Sequence, residues 1–189
     1  MASKTREMLI EVARQLFLHK GVAKTTMNDI ANASARGRRT IYTYFRNKKE
    51  IYNAVLESES ENMVQSLRRI IARKVPVDER LRDFIYFRLE HNNVQVSSLL
   101  ITWLKFDSRR VERINRMVHE KESDMLARLL DEGCRDGVFS PDRCRLLSQF
   151  LDESLNRLNI PVPTPETLER RKLLFSSFVE FIISDIKAR

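Results

Sequence analysis

At 189 residues the chain is long enough for one large domain or two small ones that share a core. Four glycines and five prolines are too few for the turns of an all-β protein, and no apolar run approaches the roughly 18 residues that cross a bilayer. The net charge of +8 is lopsided: residues 1–50 carry 11 Lys/Arg against 4 Asp/Glu, and residues 51–189 carry 23 against 22, which points to a polyanion as partner of the first quarter.

In chain order, Met8, Leu9, Val12, Ala13, Leu16 and Phe17 recur at steps of three and four, and Gly21 stands where a left-handed C′ residue closes such a helix. The opening residues lack a continuous apolar core and a small-residue cleavage site, so no secretory signal is expected. Thr26 reads as an N-cap, with Asp29 completing a capping-box-like pair. A short helix over about Met27–Ser34 should bury Met27, Ile30 and Ala31. After a turn at Gly37, a second short helix over about Arg38–Phe45 should bury Ile41, Tyr42 and Phe45. Asn47 caps a longer helix from Lys48 to about Lys74, stopped by Val75-Pro76. Further helical spans follow at Asp78–Asn93, Val94–Phe106 and Arg109–Cys134. A glycine-punctuated break, GCRDGVFSP, precedes helices at Asp142–Leu158 and Glu166–Lys187, which are joined by NIPVPTP. Cys134 and Cys144, ten residues apart without a CxxC, fit reduced thiols of a cytoplasmic protein.

The stretch TTMNDIANASARGRRTIYTYFRNKKE at residues 25–50 carries a resemblance. A leading amphipathic helix ending at glycine is followed by Thr26-Met27-Asn28-Asp29-Ile30-Ala31. Thr40-Ile41-Tyr42-Thr43-Tyr44-Phe45 and Asn47-Lys48-Lys49-Glu50 come next. Together they resemble the TetR/AcrR family of bacterial regulators over about residues 5–55. The turn departs from the family pattern. It reads Ser34-Ala35-Arg36-Gly37, with Arg39 where a small residue is usual, so Ala35 lacks a ready positive φ and Gly37 gains one. The turn geometry is therefore expected to shift by a residue or two.

The resemblance implies an all-α chain of about nine helices. An N-terminal three-helix DNA-binding domain with a helix-turn-helix (residues 1–47) would precede a larger C-terminal ligand-binding and dimerisation domain (residues 48–189). Short helices that are basic at the leading end enter the major groove, and phosphate contacts supply affinity while base edges supply choice. Expected DNA contacts are Thr25, Thr26, Arg36, Arg38, Arg39, Thr40, Tyr44 and Lys48. Thr40, Tyr44 and Lys48 come from the resemblance. Arg38 and Arg39 lead the second helix and could each read guanine with two hydrogen bonds, and Thr25 sits where a phosphate could be held.

The family implies a homodimer through the last two helices, reading a palindromic double-stranded operator. Phe150, Leu151, Leu155, Leu174, Phe178, Phe181 and Ile182 are the candidate interface, because the last helix has an apolar surface too wide for one core. The middle helices would enclose an unidentified small apolar or amphipathic ligand. Candidate linings are Phe84, Phe87, Arg88, His91, Leu100, Trp103, Leu104, Met117 and Val118. No phosphate-cradling loop, nucleophile elbow or metal-ligand spacing is present, and His19, His91 and His119 are scattered. Neither an enzyme, a metal, a cofactor nor a membrane is expected. The competing reading is an architectural DNA-binding protein controlled by a protein partner instead of an inducer.

Overall fold

The computed structural model describes residues 2–91, 108–157 and 165–188. Eight helices are present among the described residues. They are α1 (Ala2–Lys20), α2 (Met27–Ala33), α3 (Arg38–Tyr44), α4 (Lys48–Ile71), α5 (Val77–His91), α6 (Ser108–Arg135), α7 (Pro141–Arg157) and α8 (Pro165–Ile186). The helix expected over Val94–Phe106 lies outside the described residues. The fourth helix stops at Ile71, three residues short of Lys74. Beyond it, Arg73 turns back to pair with Glu79 and Asp83 on α5.

Local chemistry sets the element ends. Gly21 takes φ +81° after α1, as its place predicts. At α2 both halves of the capping box form: the Asp29 backbone N–H donates to Thr26 Oγ1 at 3.1 Å, and the Thr26 N–H donates to the Asp29 carboxylate at 2.7 Å. Asn47 Oδ1 accepts from the Glu50 N–H at 3.0 Å and starts α4. At the α6–α7 break a Cβ on Gly133 would sit 2.0 Å from the buried Phe139 ring, so only glycine fits there. The Gly133 carbonyl accepts from the N–H groups of Val138 and Phe139, and Phe139 forms an isolated antiparallel bridge with Lys187 near the C-terminus.

Two cores result. Leu9, Ala13, Phe17, Ile30, Ile41 and Phe45 close on Ile51, Tyr52 and Val55 of α4 and on Val111 and Ile114 of α6. Val64 and Leu67, farther along α4, join the second core with Leu81, Phe84 and Ile85 of α5, Leu126 and Leu129 of α6, Leu151 of α7, and Ile182 and Ile183 of α8. One helix, α4, thus belongs to both, and it has no glycine or proline at which it could bend cheaply.

Candidate nucleic-acid interface

The basic head is built from α2, the turn and α3. The turn takes a form that the glycine position did not suggest. The Arg36 N–H donates to the Ala31 carbonyl and the Ala35 N–H to that of Asn32, the paired bonds of a Schellman closure. That closure needs a left-handed residue at Ala35, which has φ 51°, while Gly37 is extended at φ −61° and serves as the N-cap of α3. The expected shift of the turn to Gly37 is therefore corrected. Hydrogen-bond register, set by where α2 ends, fixes which residue turns over.

Ile41 on α3 and Phe45, the extended residue that caps its C-terminus, are both buried in the head core, and Tyr44 is half-buried against it. Tyr42 was expected inside with them, but it is 45% exposed. It lies about 100° around the helix from Ile41. Arg38, Arg39 and Thr43 are exposed with it, and these four residues (i, i+1, i+4, i+5) form a single outward face. Thr40 is half-buried beside that face, and Arg36 and Arg46 are exposed at either end. None of Arg36, Arg38 and Arg39 forms an ion pair among the described residues. Three guanidinium groups thus stand in solvent on a short segment with no carboxylate to neutralise them.

Two expected contacts are corrected. Thr25 is fully buried: its hydroxyl donates to the Gly21 carbonyl at 2.8 Å, and its N–H donates to the same oxygen. It locks the α1–α2 turn and has no donor left for a phosphate. Lys48 is half-buried, and its Nζ donates to the carbonyls of Val22 (2.9 Å), Ala23 (3.3 Å) and Thr25 (2.9 Å). All three ammonium hydrogens are engaged, so Lys48 staples the start of α4 to the α1–α2 turn. Thr26 remains exposed, but its hydroxyl is engaged with Asp29.

The profile of the bacterial regulatory proteins of the tetR family matches residues 9–55, the segment just described. Over residues 9–55 the chain carries the head segment of the tetR family. The transcriptional regulator TtgR of Pseudomonas putida is 43% identical over 60 residues, 32% of this chain and 29% of that protein. The probable acrEF/envCD operon repressor of Escherichia coli is 50% identical over 52 residues, 28% and 24% of the two chains. These matches thus span under a third of either relative. Beyond the head the likeness is one of fold. A putative TetR-family regulator from Mesorhizobium loti superposes with a TM-score of 0.72 at 14% identity, covering 100% of this chain and 99% of that one.

In the larger helical part of the chain the expected linings separate. Phe84 is buried in the body core, Phe87 and Val118 are half-buried against it, and Leu100, Trp103, Leu104 and the His91 side chain lie outside what is described. Met117 is 48% exposed, a correction: the inward stripe of α6 runs Val111, Ile114, Val118, Glu122, Met125, Leu126, Leu129, and Met117 falls beside it. Arg88 is only 5% exposed and pairs with Glu122, also 5% exposed, at 2.9 Å. Burial pushes the Glu122 carboxyl up to about 7 against the opposing pull of Arg88. Burial also lowers Arg88, yet a guanidinium keeps its proton in the accessible pH range, so Arg88 stays charged and Glu122 joins it as an ion as pH rises through about 7. Glu122 escaped notice in the sequence. The signal was there: it stands four residues after Val118 and four before Leu126, on an otherwise apolar stripe.

The interface candidates also divide. Phe150, Leu174, Phe178 and Phe181 are exposed, together with Leu146 and Leu173. Leu151 and Ile182 are buried in this chain's own core, which removes them from a surface role, and the Leu155 side chain lies outside the description. Among the described residues no helix is long and apolar enough to cross a membrane, and no group of three or more His, Cys, Asp or Glu side chains could hold a metal ion.

Proposed function

We propose that the chain is a dimeric, sequence-specific, DNA-binding transcriptional regulator of the cytoplasm, a repressor released from a palindromic operator by a small-molecule ligand. The observation that carries this reading is the outward face of α3, with Arg38, Arg39, Tyr42 and Thr43 in solvent beside Arg36 in a family-matched head. Arg38 and Arg39 read base edges, and Arg36 and Arg46 hold phosphate. Tyr42 joins the contact set that Thr40 and Tyr44 complete. The exposed apolar residues of α7 and α8 pair with their mates in a second copy, setting two heads on a two-fold axis.

Release works through α4. A ligand held in the body favours one placement of this helix, and the staple from Lys48 passes that placement to the α1–α2 turn. The ligand shifts the equilibrium by no more than its differential affinity for the two states.

Binding-site selection from a random duplex pool tests the reading. A palindromic consensus with half-sites about one helical turn apart is the expected result. Arg39→Ala should relax preference at one base pair of each half-site, at a cost of about 1–3 kcal/mol. A pool that stays random would overturn the reading.

A further inference from the structure

The stripes that α5 and α6 turn inward are apolar except at one point. Arg88 occupies the buried face of α5 with Leu81, Phe84, Ile85 and Leu89, and Glu122 occupies that of α6 with Val118, Met125 and Leu126. Glu122 gives one carboxylate oxygen to Arg88 Nη2 at 2.9 Å. No hydrogen-bond donor among the described residues reaches the other, Oε1, although that atom is shut off from solvent. A carboxyl oxygen left dry and without a partner is costly, most of all when Glu122 is ionised, and native folds leave few such atoms unsatisfied.

We infer that Glu122 Oε1 is the anchor of the effector site, and that the effector is a neutral, largely apolar molecule carrying a hydroxyl or N–H donor. The neutral class follows from charge. Above about pH 7, with Glu122 ionised, Arg88 and Glu122 cancel, so a cation would leave one net charge buried and an anion would meet Oε1 repulsively. A neutral donor fills the vacant acceptor without adding charge, and the surrounding stripes suit an apolar body. Arg88 also connects the site to the lever: its Nη1 lies 3.9 Å from Met63 Sδ on α4. An effector that draws the pair towards itself therefore moves the Arg88 contact on the helix that ends in the Lys48 staple. The inference rests on the ligand-release reading above and names the ligand class of that site.

Calorimetric titration of the full chain with 4-phenylphenol and with its methyl ether, 4-methoxybiphenyl, provides the test. The two share an apolar body, and only the first has a donor. The phenol should bind roughly tenfold or more tightly than the ether, the yield of a hydrogen bond to a charged group. The variant R88M/E122L replaces the whole pair with apolar side chains, a change that buried ion pairs tolerate. It should fold and bind the two probes alike. Equal affinities in the native chain, or binding of neither by protein that still selects a DNA sequence, overturns the inference and leaves the regulator reading standing. Discrimination between the probes by protein that selects no DNA sequence supports the site and overturns the regulator reading instead.

Discussion

Ala35 carries the strain of the head. A left-handed alanine costs about 1–2 kcal/mol, and a glycine there would lose some of that gain to its greater unfolded-state entropy. Ala35→Gly should therefore raise stability by about 0.5–1 kcal/mol in chemical denaturation. A lower midpoint would mean that the closure is not held at Ala35. Lys48 poses the opposite case. Removing its ammonium leaves the carbonyls of Val22, Ala23 and Thr25 without that donor. Lys48→Ala should destabilise the head by about 1–3 kcal/mol. Because Lys48 is spent on the protein, the dependence of DNA affinity on salt should keep its slope. A slope flattened by about one unit would return Lys48 to the phosphate contacts.

At the scale of the element, α2 is seven residues long and depends on its cap. The Asp29 carboxyl is held down to about 2, first by Lys20 and then by the Thr26 backbone and hydroxyl. A folded-state value below the ordinary one means that the stabilisation is present above that ordinary value and fades as acid protonates the folded form. The melting temperature should fall as pH drops from 3.8 towards about 2, and Asp29→Asn should flatten that fall by removing the titrating group. An unchanged acid limb in the variant would assign the loss to other carboxylates. The same box was readable in the sequence, because both partners lie within one turn. Tyr42 was misplaced for a related reason: a seven-residue helix buries one narrow face, and proximity in sequence to Ile41 does not put a residue on it.

For the whole molecule, a single copy leaves Leu146, Phe150, Leu173, Leu174, Phe178 and Phe181 of α7 and α8 exposed. Phe181, 71% exposed, should be a point of failure: Phe181→Asp is expected to shift sedimentation towards the monomer and weaken operator binding. A variant that sediments as the native chain does would take α8 out of the interface. The buried Leu151 and Ile182 lie on these same two helices, so periodicity alone could not sort them. Each helix touches its own core along one line and leaves another line bare, and only the neighbours' positions say which is which.

The sequence by itself determined the all-helical build, the family of the head, the cap residues and the concentration of positive charge. All of these rest on interactions within a few residues or on composition. The tertiary structure decided the rest. Lys48 looks like a phosphate ligand until the α1–α2 turn folds against the start of α4 and takes up its donors, 23 residues apart in sequence for the bond to Thr25. Glu122 looks like one more helical charge until Arg88 arrives from α5. Long-range partners consume or expose polar groups, and no local pattern records which partner will come.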